Sequence, residues 1–138
     1  MTSENDLFER LKPLLVEVLG VSPEKIQLTS VLVTDLGAES IDLLDLSFRI
    51  EETFKVRLEA NEIEREFKKC LPGGVFERQG LLTDEALVEI RRAAPELDAS
   101  KLVKGLRKID LPTLLTVGSF VRLIQGKLDA LTQGASHA

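Results

Sequence analysis

Ser40 is the residue whose setting could do chemistry. It stands in Asp35-Leu36-Gly37-Ala38-Glu39-Ser40-Ile41-Asp42, where a turn-forming glycine precedes a hydroxyl at the mouth of an acidic, amphipathic helix. A serine nucleophile needs a neighbouring base and an oxyanion site, yet the single histidine, His137, belongs to the C-terminal tail. The hydroxyl therefore reads as an attachment point for another protein's active site to reach, not as a catalyst. Gly37 gives the turn its backbone freedom at no Cβ cost. The free N–H groups and positive dipole end of the following helix would favour an anionic ester on Ser40. A serine in front of a helix is more often simply an N-cap, and only the eight-residue setting reverses that reading.

Other reactive groups are sparse. Cys70 is the only cysteine, so no disulfide framework is possible, and with no histidine or cysteine cluster beside it no structural zinc site is expected. It reads as a small hydrophobe on a helix face. A chain of 138 residues with 43 % hydrophobic content is expected to form one domain over residues 1–138. Glu4 and Asp6 precede any basic residue in Met1–Arg10, which is unlike a secretory signal, and no apolar run is long enough to span a membrane. A cytoplasmic monomer without membrane insertion is expected. Trp and Tyr are absent and the net charge is −5, which excludes the stacking platforms and basic footprint of a nucleic-acid binder.

The charge is unevenly spread. Ala60 to Asp110 holds ten basic and ten acidic residues, so the whole acidic excess lies outside it. Between Asp35 and Phe54, six acids (Asp35, Glu39, Asp42, Asp45, Glu51 and Glu52) face only Arg49. That one segment can account for the field of the molecule and seeks basic partners.

Apolar spacing predicts the elements that hold this segment. Leu7, Leu11, Leu14, Leu15 and Val18 recur at helical intervals until Gly20, with a bend expected at Pro13. Val21 to Leu36 reads as a long loop pinned by Val21, Ile26, Leu28, Val31 and Leu36. Ser40 to Phe54 carries two stripes, Leu43, Leu46, Ser47, Ile50 and Phe54 on one face and Ile41, Leu44 and Phe48 on the other. The second stripe is either covered by the downstream segment or, rimmed as it is by acids, open as a docking surface. Ile63, Phe67 and Cys70 mark a short helix ended by Pro72-Gly73-Gly74. Thr83 opens another, with Leu87, Ile90 and Ala94 inward, and Asp98 opens a third carrying Leu102, Leu106 and Ile109. Thr116 caps a last helix with a seam of Val117, Phe120, Val121, Ile124, Leu128 and Leu131, and a polar, flexible tail follows over residues 133–138. No convincing strand is visible, and the fold class is all-α.

The eight residues around Ser40, continued by Leu46 and by Ile50-Glu51-Glu52-Thr53-Phe54, resemble the prosthetic-group site and second helix of acyl carrier proteins. Leu19-Gly20-Val21 is similar to the end of that family's first helix and Leu115-Thr116-Val117 to the start of its last. The family usually has Asp-Ser-Leu where this chain has Glu39-Ser40-Ile41, a departure that bears on which transferase accepts the site. A second departure is an insertion at about residues 60–110, with about three extra short helices, where the family has a short loop and a small helix. Some fifty residues are few for an independent core, so the insertion is expected to dock on the bundle.

The resemblance implies that Ser40 receives 4′-phosphopantetheine from coenzyme A through a separate phosphopantetheinyl transferase, and that the arm's thiol then holds acyl groups as thioesters. The chain itself would not be an enzyme. Glu39, Ile41, Asp42, Leu44, Asp45, Phe48, Glu51 and Glu52 would form the surface read by basic patches on acyl-transferring or acyl-modifying enzymes. Specialised fatty-acid, lipid or polyketide synthesis is the implied setting. Two alternatives are an aminoacyl or peptidyl carrier, against which Gly37-Ala38-Glu39 speaks because that group has Gly-Gly-His before its serine, and an unmodified helical interaction module.

Overall fold

A computed structural model describes residues 3–58, 62–69 and 71–136. Its contacts divide into two compact units, Met1–Leu58 with Thr116–Ala138, and Glu59–Leu115. In the first unit, α1 (Glu4–Leu19) starts where the Ser3 hydroxyl accepts the Asp6 N–H at 3.1 Å and ends at Gly20, whose φ of +67° and N–H bond to Val16 close the helix. The helix runs unbroken through Pro13. Its buried residues Leu7, Leu11 and Leu15 meet those of α2 (Ser40–Phe54) and α5 (Val117–Ser136). Leu46, Ile50 and Phe54 from α2 and Val117, Phe120, Val121 and Ile124 from α5 complete the core. The expected seam on α5 is cut short, since Leu128 is half-buried and Leu131 exposed. His137 and Ala138 lie outside the described residues.

Thr116 caps α5 as its residue type predicts, and the cap is reciprocal. Its Oγ1 accepts the Ser119 N–H at 3.1 Å while the Ser119 hydroxyl accepts the Thr116 N–H at 3.1 Å. The next two donors of the helix are spent on the long loop. The Val117 and Gly118 N–H groups bond the Ser30 and Leu28 carbonyls, each at 2.9 Å, beside a bridge between Val31 and Thr116. The start of α5 and the loop before Ser40 thus satisfy one another's backbone.

The second unit holds α3 (Glu62–Lys68), a hairpin of β1 (Glu77–Arg78) and β2 (Leu81–Leu82), α4 (Asp84–Ala93), and 3₁₀ turns at Ala99–Lys101 and Lys108–Leu114. Thr83 caps α4 by accepting the Ala86 N–H, and Leu87, Ile90 and Ala94 are buried as their spacing predicts. Cys70 lies outside the described residues. Two expectations are corrected. The hairpin exists because Gln79 and Gly80 both take positive φ, the backbone twist a two-residue loop requires, although Gln-Gly is a weak signal for it. The third helix does not form after Asp98. Gly105 turns the chain at φ +100°, and the segment then pairs with the hairpin through Leu82 N–H to Leu106 O at 3.0 Å and Lys108 N–H to Gly80 O at 2.9 Å. Leu102 is buried, but Ile109 is 69 % exposed.

An ion cluster closes this unit. The Lys108 ammonium lies 2.7 Å from Glu64 and 2.8 Å from Glu77, tying α3, the hairpin and the last 3₁₀ turn together. The hydrogen bond from Lys108 holds the Glu64 carboxyl below its usual range against the opposing effect of burial, and the bonds to Glu64 and then Glu77 raise the Lys108 pKa.

Candidate functional site

The residues leading to Ser40 are fixed by a short series of hydrogen bonds. The Ser30 hydroxyl accepts the Gln27 N–H at 3.0 Å and donates to the Lys25 carbonyl. The Asp35 carboxylate accepts the Val31 N–H at 2.7 Å, and the Asp35 N–H returns a bond of 2.8 Å to the Val31 carbonyl. Ala38 N–H bonds the Leu32 carbonyl at 2.9 Å, and Leu32, Leu36 and Ala38 are buried around this turn. Between them Gly37 takes φ +74°, a conformation that costs an L side chain about 1–2 kcal/mol. Leu32 is an anchor that spacing alone missed, since the loop has no period to read. Of the expected anchors, Ile26 and Leu36 are buried, whereas Val21, Leu28 and Val31 are half-buried.

Ser40 is the first residue of α2 and is exposed. The N-cap position belongs to Glu39, and the Asp42 carboxylate reaches back to accept the Glu39 N–H at 2.9 Å. With capping done by its neighbours, the Ser40 hydroxyl has no hydrogen-bond partner among the described residues. The open side of the Gly37 turn, where a Cβ would meet nothing within 4 Å, leaves room around it. An exposed, unengaged alcohol at a helix start fits a phosphodiester-linked group, because the first N–H groups of a helix have no partner inside it and favour an anion. Among the described residues no group of His, Cys, Asp and Glu is arranged to hold a metal.

The two stripes of α2 separate cleanly. Leu46, Ile50 and Phe54 are buried, with Leu43 and Ser47 half-buried, while Ile41 (70 %), Leu44 (56 %) and Phe48 (60 %) are exposed. Of the two readings of the second stripe, the open surface is the observed one. The acids beside it are less uniform than the sequence suggests. Asp45 is paired with Arg49 at 3.2 Å, and Arg49 also holds Glu17 at 2.7 Å. Glu51 accepts the Leu58 N–H at 2.7 Å, tying the chain after α2 back to the helix. Asp42 serves the cap, and Glu52 is exposed with no ion pair among the described residues. A flat list of carboxylates could not reveal these engagements, since the partners of Asp35, Glu51 and Arg49 are backbone donors or lie on another helix.

Residues 9–69 match the family model described as a phosphopantetheine attachment site. The matched span takes in most of α1, the loop, Ser40 and α2. Curated relatives agree. An acyl carrier protein of Campylobacter fetus is 36 % identical over 59 residues, which are 43 % of this chain and 77 % of that protein. Those of Zymomonas mobilis and Wolinella succinogenes are 38 % identical over 61 residues and 37 % identical over 59, covering 44 % and 43 % of this chain and 78 % of each relative. With identity of this level over more than three-quarters of each relative, and with a helical bundle that displays a free serine at the start of α2, the chain belongs to the acyl carrier protein family, whose covalent prosthetic group is 4′-phosphopantetheine.

Proposed function

We propose that Ser40 carries the phosphopantetheine arm and that the chain tethers acyl groups for enzymes of specialised fatty-acid, lipid or polyketide assembly, without itself being a catalyst. The observation that carries this reading is the exposed Ser40 hydroxyl, free of the capping role that a serine at a helix start usually fills. In the attachment step the Ser40 Oγ forms a bond to the pantetheine-side phosphorus of coenzyme A. The pyrophosphate P–O bond breaks, adenosine 3′,5′-bisphosphate leaves, and the hydroxyl proton passes to a base on the transferase. When bound, the arm supplies a terminal thiol for thioester chemistry. The chain contributes a rigid helix start, a phosphate-compatible ring of N–H donors, and a surface on which partners can dock.

That surface is Ile41, Leu44 and Phe48 with Glu39, Asp42, Asp45, Glu51 and Glu52 around them. Exposed aliphatic and aromatic side chains ringed by carboxylates suit partners with basic patches and produce fast, weak encounters. Incubation with coenzyme A, magnesium and a broad-specificity phosphopantetheinyl transferase, followed by intact-mass spectrometry, should give a single phosphopantetheine adduct that Ser40→Ala abolishes. Wild-type protein that never gains this mass would sink the proposal. Mass spectrometry of the protein from its native cells then identifies the acyl cargo and distinguishes it from an aminoacyl one.

A further inference from the structure

We infer that Asp35 is a positioning residue for the modification of Ser40, acting through the backbone of the preceding loop and not as one of the carboxylates that a partner reads. The inference rests on Ser40 being the modified residue and extends it to what aims that hydroxyl.

By sequence, Asp35 is indistinguishable from the docking acids. It opens the acidic segment and counts toward its net charge of −5. The geometry separates it from them. Its carboxylate accepts the Val31 N–H at 2.7 Å, and its own N–H, with that of Leu36, converges on the Val31 carbonyl at 2.8 and 3.2 Å. Val31 is in turn bridged to Thr116, whose hydroxyl caps α5, and the neighbouring Ser30 and Leu28 carbonyls accept the first N–H groups of that helix. Asp35 thus joins the start of α5 to the turn that ends two residues before Glu39.

Beyond Asp35 the mechanics are simple. Leu36 and Ala38 are buried and Ala38 is bonded to Leu32, so only Gly37, at φ +74°, has conformational freedom between the anchored loop and the N-cap of α2. Loss of the carboxylate bond leaves the Val31 N–H unpaired and frees the turn to rotate about Gly37, which moves Glu39 and Ser40 relative to the helix they begin. A nucleophile displaced by even 1 Å from its productive position costs on the order of 100-fold in rate. A docking carboxylate, by contrast, acts through encounter and binding.

These two roles give opposite kinetic signatures. Asp35→Asn removes the charge but keeps an oxygen able to accept the Val31 N–H, whereas Asp35→Ala removes both. With the full-length chain as substrate of a phosphopantetheinyl transferase, Asp35→Ala should lower kcat by about 10-fold or more, within the range that such misplacement can produce. KM for the carrier should change little, and Asp35→Asn should stay within about 3-fold of wild type, as expected when only charge is removed from a group whose bond is retained. The Val31 amide should be protected from hydrogen exchange in wild type and Asp35→Asn and should lose that protection in Asp35→Ala. If Asp35→Asn raises KM as strongly as Asp35→Ala, the charge is being read by the transferase and the inference is overturned. An unchanged kcat in a folded Asp35→Ala overturns it as well. Should Asp35→Ala not fold, the kinetics of Asp35→Asn still decide, because a loss of about 10-fold or more there contradicts a role carried by the oxygen alone. Wild-type protein that is never modified refutes the assignment of Ser40 instead, so the two failures are distinguishable.

Discussion

At the scale of single residues, the site depends on which side chains are released from structural work. Ser40 is free because Glu39 and Asp42 manage the helix start, whereas Asp35, Asp45 and Glu51 are engaged inside the fold. Gly37 is the one position in the turn where backbone geometry dictates the residue, with φ +74° and open space beyond it. Gly37→Ala meets no atom but must adopt a left-handed backbone, so it should destabilise the protein by about 1 kcal/mol. Chemical denaturation measures that loss. Ser40→Ala, exposed and unpartnered, should stay within about 0.5 kcal/mol of wild type in the same experiment, so its failure to be modified cannot be blamed on unfolding.

At the scale of elements, two junctions carry testable energy. The reciprocal bonds between Thr116 and Ser119 are buried and seat the first turn of α5 against the Leu28–Val31 segment. Thr116→Ala should lower stability by about 1–2 kcal/mol, the size of a lost cap with a donor left unpaired, and thermal unfolding reports it. In the second unit, the Lys108 cluster makes stability depend on pH. The Glu64 pKa is lowered on folding, so its contribution is full above its unfolded value and disappears as pH falls through the lowered folded one. The Lys108 pKa is raised, so its contribution is full below its unfolded value and is lost as pH rises through the higher folded one. Wild type should therefore melt above Lys108→Met between about pH 5 and pH 9, with the gap closing below about pH 4, where carboxylates protonate. A gap independent of pH would show that the lysine acts by packing alone.

At the scale of the whole molecule, the net charge of −5 is concentrated near Ser40, while the stretch from Ala60 to Asp110 is balanced. Local pairing of Asp45 with Arg49 reduces the field but leaves it negative. Encounter with a basic transferase should be steered, so kcat/KM for modification should fall as sodium chloride is raised from about 0.01 M to 0.15 M, over which the Debye length shrinks from about 30 to 8 Å. A rate insensitive to salt would leave the apolar residues Ile41, Leu44 and Phe48 as the main determinants. Among the described residues no helix is long and apolar enough to cross a membrane.

Periodicity made α1, α2, α4 and the core of α5 legible, because helices that bury one face must repeat their apolar residues every three to four positions. The same rule failed where partners are distant in sequence. Leu102 and Ile109 fit a helical repeat, yet Gly105 and the carbonyls of the hairpin draw their backbone into a different pairing. The chemistry of the site was also legible, since an isolated serine after Gly37 and before an acidic amphipathic helix has few other uses. Only the tertiary structure decided which carboxylates are engaged, that the Ile41, Leu44 and Phe48 stripe is open, and that α5 grips the loop before Ser40. Hydrogen bonds between residues far apart in the chain leave no periodic trace, whereas burial of a helix face writes one into every turn.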